Sequence, residues 1–209
     1  MLSFPAPRWR TALNTVAKSN EKRPPGSRFG RVASPVTPRV YLSDYFTASD
    51  ADELVRLGIT HVISVLEHDT HIPECIPKKQ KLHLRLADNM DVNILEHLDD
   101  TTNFITSALA EDENNKVLVH CFQGISRSAT IVCAYLIASS GMTAIEAITH
   151  TQAKRGIVCP NIGFRRQLET YSHRFVSKRL KQRGGKVAKI SGDIAERIRR
   201  LQAGPRLSS

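Results

Sequence analysis

The sequence has little cysteine, a single tryptophan and no long apolar run, and each scarcity excludes something. Its four cysteines, Cys75, Cys121, Cys133 and Cys159, form no CxxC pair and fall well short of the density of a disulfide scaffold. No two lie close enough for a ligand hairpin and none has a matching His-x3-5-His, so a zinc site is not expected. The apolar run "ATIVCAYLIASSG" stops short of the ~20 residues that a membrane-spanning helix needs, so no span is expected. The opening residues lack a signal-peptide pattern, and with the scattered cysteines this points to a reducing compartment, cytoplasmic or nuclear.

What is present describes an ordinary soluble protein. Hydrophobic residues make up 41% and charged residues 24% of 209, enough for one domain with a sizeable core plus tails. The net charge of +10 is unevenly spread: residues 1–39 hold eight Lys/Arg against one acid, and residues 174–209 hold eleven against two. Residues 40–173 therefore carry 11 basic and 17 acidic side chains, a net of −6. A mildly acidic body wears two basic tails.

Residues 1–39, with "KRPPGSRFGR" and "SPVTPR", show no sustained period and read as a mostly unstructured arm. From Val40 the pattern changes. "VYL" predicts a short strand, "SDADELVRLG" a helix with Ser49 as N-cap and Gly58 at its end, and "HVISVL" a β-branched strand. "LHLRLAD" alternates like a strand exposed on one side, 93–111 has helical apolar spacing, and "KVLV" reads as a buried strand. A buried helix ended by Gly141 follows, then a helix opened by a Thr143/Glu146 capping box, then a last helix in "NIGFRRQLETYSHRF". This alternation implies an α/β fold, a single mixed sheet flanked by helices on both faces.

The stretch "HCFQGISRS", His120 to Ser128, runs from the end of a strand into the mouth of a helix. A small-residue loop in that place turns successive N–H groups inward as an anion nest, Phe122, Gln123, Gly124, Ile125 and Ser126 contributing backbone, and the helix dipole adds to it. At the base of such a nest a cysteine pKa falls from about 8.5 to about 3.5–7.5, so Cys121 is expected as a thiolate nucleophile. Arg127 offers a planar fork for two phosphate oxygens. Ser128 can donate to the sulfur, and His120 orients the loop rather than acting as a base.

His-Cys-x5-Arg-Ser resembles the signature of the cysteine-based protein phosphatases. With "AYLI" and "CPNIGFRRQL" downstream, residues 40–176 are similar to the dual-specificity phosphatase family. With the glycine included, His-Cys-x2-Gly-x2-Arg-Ser/Thr, four fixed residues and a Ser/Thr, arises by chance in roughly one such chain in ten thousand, so the signal is specific. The resemblance implies a phosphate-binding loop between a central strand and a helix, a phosphocysteine intermediate, and a carboxylic acid to protonate the leaving oxygen. Asp88 occupies the family's acid loop ahead of the long helix bearing Phe104 and Ile105, with Asp91 as the alternative. Asn161 matches an asparagine that braces the loop, and can equally cap the last helix. The scheme calls for no metal or cofactor.

Cys133, inside an apolar helix, reads as packing. In some relatives a second cysteine protects the nucleophile as a reversible disulfide, a role open to Cys75 or Cys159. The loop has no lysine, unlike enzymes acting on inositol lipids, so phosphoproteins are the expected substrate, with phosphotyrosine and phosphoserine/phosphothreonine both admitted. The resemblance suggests a MAP kinase partner for the basic tail "KRLKQRGGKV" with Val187 and Ile190, and Ser34-Pro35 and Thr37-Pro38 could be proline-directed phosphorylation sites. Solvated tails ending in a helical "DIAERIRRL" are the plainer reading. The tails lack interleaved aromatics, so no specific nucleic-acid binding is expected, and Arg8, Arg10 and Lys18 without an acid leave organellar targeting open. A catalytically inactive phosphoprotein-binding module of the same fold and a phosphatase for an inositol lipid are the alternatives.

Overall fold

The computed structural model of the protein describes residues 32–175. The expectations for the first 31 residues and for the tail from Val176 onward, including Val187, Ile190 and "DIAERIRRL", lie outside the described residues.

Five strands form one mixed sheet: β1 (Ser34–Pro35), β2 (Val40–Ser43), β3 (His61–Val65), β4 (Lys81–Leu84) and β5 (Val117–His120), in the order β1-β2-β5-β3-β4. β2, β5, β3 and β4 run parallel, and β1 is an antiparallel edge. The helices are α1 (Tyr45–Ala48), α2 (Ala51–Leu57), α3 (Leu98–Glu111), α4 (Arg127–Ser140), α5 (Ala144–Lys154) and α6 (162–175). Among the described residues no helix is long and apolar enough to cross a membrane.

Strand alternation sorts the core into two layers. Val40, Leu42, Ile63, Val65, Val117 and Val119 pack with α3, α4, α5 and α6, whereas Tyr41, Val62 and Leu118 pack with Ala48 of α1, Leu54 of α2 and the loop residues Ile72 and Ile76. Helices thus cover both faces. α4 is buried at ten of its fourteen positions, because it lies between the sheet and its neighbours α3 and α5, which is why its sequence shows no polar stripe.

Three local expectations are corrected. Residues 32–39, read as part of the arm, are folded: β1 pairs Ser34 with Leu42, and Ala33 and Val36 are buried. Pro35 is tolerated because β1 is an edge. Both Ser-Pro and Thr-Pro motifs therefore sit in ordered backbone, Thr37 Oγ1 accepting the Val40 N–H at 3.0 Å. The α2 cap is Asp50, whose carboxylate accepts the Glu53 N–H, whereas Ser49 Oγ donates to the Tyr45 carbonyl and closes α1. The apolar stretch 93–111 begins as a 3-10 turn, Leu95–His97, before the α3 helix proper.

Candidate active site

The site forms at the carboxyl ends of β2, β5 and β3, where an open parallel sheet leaves a crevice. The register places His120 of the central β5 between Ser43 of β2 and Ser64 of β3. Ser64 Oγ and His120 Nε2 lie 2.7 Å apart, and His120 Nδ1 is 3.3 Å from the Cys121 carbonyl. Full burial holds the imidazole pKa down to about 4, so the ring is neutral and serves as a fixed strut under the loop.

Cys121 is 2% exposed. Its Sγ accepts the Gly124 N–H and the Ser128 hydroxyl, each at 3.2 Å. Burial alone would raise the thiol pKa, but the Ser128 hydroxyl and the N–H groups of Ser128, Gly124 and Ile125 outweigh it and hold the pKa below its ordinary value. The Ser128 N–H is free for this because Ser126, at the helix cap position, does not cap: its hydroxyl donates instead to Asp88 Oδ1 at 2.7 Å.

Gly124 has φ +69°, and a Cβ there would lie 2.5 Å from the Ser43 carbonyl oxygen. Only glycine lets the loop turn while resting on β2.

Arg127 opens α4, is 9% exposed, and is anchored by Nη1 to the Leu86 carbonyl at 3.1 Å. Its Nε is buried and makes no hydrogen bond, standing 3.5 Å from Asp88 Oδ2, an ion-pair distance outside hydrogen-bonding geometry. Asp88 Oδ1 also accepts from Asn161 Nδ2 at 2.9 Å. Asn161 serves both expected purposes at once: Oδ1 caps α6 through the Phe164 N–H at 2.9 Å, while its backbone N–H donates to Ser126 Oγ at 3.1 Å. The acid loop rests directly on α6, since a Cβ at Gly163 would overlap the Met90 carbonyl oxygen. Asp91 stays exposed in a turn closed by its own N–H on Asn89 Oδ1, so the pocket contacts go to Asp88.

One charged residue that the sequence does not single out, Arg155, holds the loop from behind, with Asp44 as its counter-charge. Arg155, 8% exposed, donates through Nε to the Gly124 carbonyl and through Nη2 to the Gln123 carbonyl, both at 3.1 Å. The Gln123 carbonyl shares a peptide plane with the Gly124 N–H, and the Gly124 carbonyl with the Ile125 N–H. Pulling those two carbonyls outward aims at the sulfur the N–H groups that lower its pKa. Arg155 Nη1 continues to the Val32 carbonyl at 2.8 Å, and Asp44 Oδ2 is its counter-charge at 3.8 Å. In sequence Arg155 looks like a cation favoured at a helix C-terminus, and nothing local marks its partners.

All four cysteines are free. Cys133 is buried, and burial pushes its thiol pKa up to about 12, the chemistry of an inert packing residue. Cys75 and Cys159 are exposed, and Cys159 Sγ accepts from Arg165 at 3.1 Å.

The family model described as the catalytic domain of dual specificity phosphatases matches residues 40–174. The tyrosine-protein phosphatase yvh1 of Schizosaccharomyces pombe is 36% identical over 138 residues, 66% of this chain and 41% of that protein. The chain therefore spans less than half the length of that relative. The crystal structure of DUSP15 superposes with a TM-score of 0.64 at 36% identity, covering 68% of this chain and 88% of that one. A human tyrosine phosphatase-like serine/threonine/tyrosine-interacting protein superposes with a TM-score of 0.62 at 33% identity, covering 70% and 99%. The signature loop, the sheet that carries it and the match across residues 40–174 agree, and the chain belongs to the dual specificity phosphatase family.

Proposed function

We propose that the protein hydrolyses phosphotyrosine and phosphoserine/phosphothreonine esters of phosphoproteins through a phosphocysteine on Cys121. The observation that supports this is the convergence of donors on one buried sulfur, with the buried Nε of Arg127, at the head of the helix that follows the loop, making no hydrogen bond. The Cys121 thiolate attacks phosphorus, the S–P bond forms and the P–O bond breaks, while Asp88 delivers its proton to the leaving oxygen. Oδ1 of Asp88 is occupied by donors from Ser126 and Asn161, so the transferable proton belongs on Oδ2, the oxygen facing Arg127. Asp88 then takes a proton from water, which attacks phosphorus, releases phosphate and restores the thiolate. Through both steps the loop N–H groups and Arg127 hold the charge on the equatorial oxygens.

The inositol-lipid alternative is disfavoured by a loop whose inward groups are backbone and one arginine, with no lysine. The MAP kinase reading rests on tail residues outside those described. The fold alone does not separate enzyme from binding module, since a neighbour named an interacting protein shares it. The test is phosphate release from phosphotyrosine, phosphothreonine and doubly phosphorylated peptides by the full chain and by Cys121→Ser, with acid-quenched trapping of ³²P-labelled enzyme. Release with label on the wild type and none on Cys121→Ser is expected; binding of the peptides without release or labelling would leave the loop as a phosphate-binding module.

A further inference from the structure

Six large apolar side chains are exposed on the described surface, at 40% or more: Phe46, Val55, Met90, Phe122, Ile145 and Ile162. Single exposed apolar residues are ordinary, but four of these six stand on the segments that build the phosphate pocket. Phe122 follows the nucleophile in the loop. Phe46 belongs to α1, whose first N–H, on Tyr45, donates to the Phe122 carbonyl at 3.2 Å, and the Phe46 and Phe122 rings are 6.1 Å apart. Met90 lies two residues beyond Asp88 with its backbone against Gly163, and Ile162 lies between that glycine and Asn161. One aromatic pair therefore stands on the α1 side of the pocket, and two flexible or branched apolar side chains stand on the side of the acid loop and α6.

The charges point the same way. Residues 40–173 carry a net of −6, and the Arg155 side chain is committed to loop carbonyls and Val32 rather than to the mouth. One phosphoryl group between apolar neighbours is matched by a single cationic pocket and its apolar rim.

Resting on the phosphatase reading above, we propose that the substrates are phosphorylated protein segments with a large apolar or aromatic side chain close to the phosphoresidue, received by the rim of Phe46, Phe122, Met90 and Ile162. In an extended segment alternate side chains point the same way at about 3.3 Å per residue. With the phosphoresidue in the loop, the side chains two positions before and after it turn toward the rim, and those one position away turn from it.

The test compares phosphotyrosine peptides bearing Leu or Phe, Gly, or Asp at the second position on either side, with p-nitrophenyl phosphate as a substrate without flanks and phosphatidylinositol phosphate in phosphatidylcholine vesicles as the lipid arm. The full chain is expected to favour the apolar peptides over glycine roughly tenfold in kcat/KM. Phe46→Ala is expected to lower the ratio of kcat/KM for the Leu peptide to that for p-nitrophenyl phosphate by a similar factor, and Ile162→Ser is the second variant should Phe46→Ala lose its fold in a thermal melt. Equal rates for apolar and glycine peptides, a preference for aspartate, or faster turnover of the vesicles would overturn the proposal. Should p-nitrophenyl phosphate not be hydrolysed, the catalytic reading fails, and the affinities of full-length Cys121→Ser for the same peptides then decide the rim: the same apolar ranking supports it and a flat ranking refutes it.

Discussion

Replacing Arg155 by lysine separates a charge from a clamp. Both side chains are cationic, but lysine is a point charge on a flexible stem and cannot reproduce a planar fork on two neighbouring carbonyls. In the native loop Arg155 holds the Gly124 and Gln123 carbonyls at 3.1 Å, and those are the peptide units whose N–H groups face Cys121. Hydrogen bonds from a charged donor contribute about 1.5–3 kcal/mol each, so losing the fork leaves both peptides free to rotate. If this costs the thiolate about 1.4 kcal/mol, slightly less than one such bond, the thiol pKa rises by about one unit, since one unit corresponds to 1.36 kcal/mol. The nucleophile is the deprotonated form, present above its pKa, so at a fixed pH well below the native pKa the reactive fraction falls about tenfold. The assay is the pH dependence of inactivation by iodoacetamide, followed as lost hydrolysis of p-nitrophenyl phosphate so that the exposed Cys75 and Cys159 do not enter the reading. The midpoint is expected to move up by about one unit in Arg155→Lys, together with the acid limb of kcat/KM. A lower melting temperature with an unmoved midpoint would refute the reasoning and reduce Arg155 to a structural brace.

Asp88→Asn is expected to lower kcat on phosphotyrosine and phosphothreonine peptides by roughly 10²–10³, and much less on p-nitrophenyl phosphate, whose leaving oxygen needs little protonation; equal losses on all substrates would remove Asp88 from the acid role. Gly124→Ala must hold an alanine at φ +69° against the Ser43 carbonyl, so urea titration should show a loss of about 1–3 kcal/mol and tungstate affinity should drop; a wild-type midpoint would contradict the packing. His120 makes stability fall on the acid side. Its folded pKa of about 4 lies below the ordinary 6.5, so between those values the unfolded chain takes up a proton that the folded one refuses. That group's contribution is intact above pH 6.5 and shrinks by about 3 kcal/mol by pH 4. Urea midpoints measured across this window should lose that part of their slope in His120→Asn, and an unchanged slope would place the titration elsewhere.

The sequence reveals the groups whose identity chemistry dictates at close spacing. A nucleophilic cysteine, a glycine for the turn and an arginine for the phosphate cannot be exchanged without losing the function, so Cys121, Gly124 and Arg127 announce themselves within seven residues. Asp88 is legible only through element order, 33 residues before the nucleophile, and it needed the family resemblance to be preferred over Asp91. The strands and long helices are legible because their periods are sustained. β1 and α1 are too short for any period, and Pro35 in an edge strand mimics a loop. Arg155 is invisible for a different reason. Its partners are carbonyl oxygens, which every residue possesses, so its role leaves no pattern of side-chain types along the chain. The same holds for Ser126, whose hydroxyl abandons the helix cap to hold Asp88, and for the Tyr45 N–H that fixes Phe122. The signature thus identifies where the chemistry happens and supplies the Ser128 hydroxyl that lowers the sulfur's pKa, while the orientation of the Gly124 and Ile125 amides rests on contacts to backbone that no signature encodes. A chain that kept "HCFQGISRS" but lost Arg155 would keep every recognisable mark of the nucleophile and the Ser128 donors on its sulfur, yet lose the clamp on the Gly124 and Ile125 amides that sharpens its ionisation.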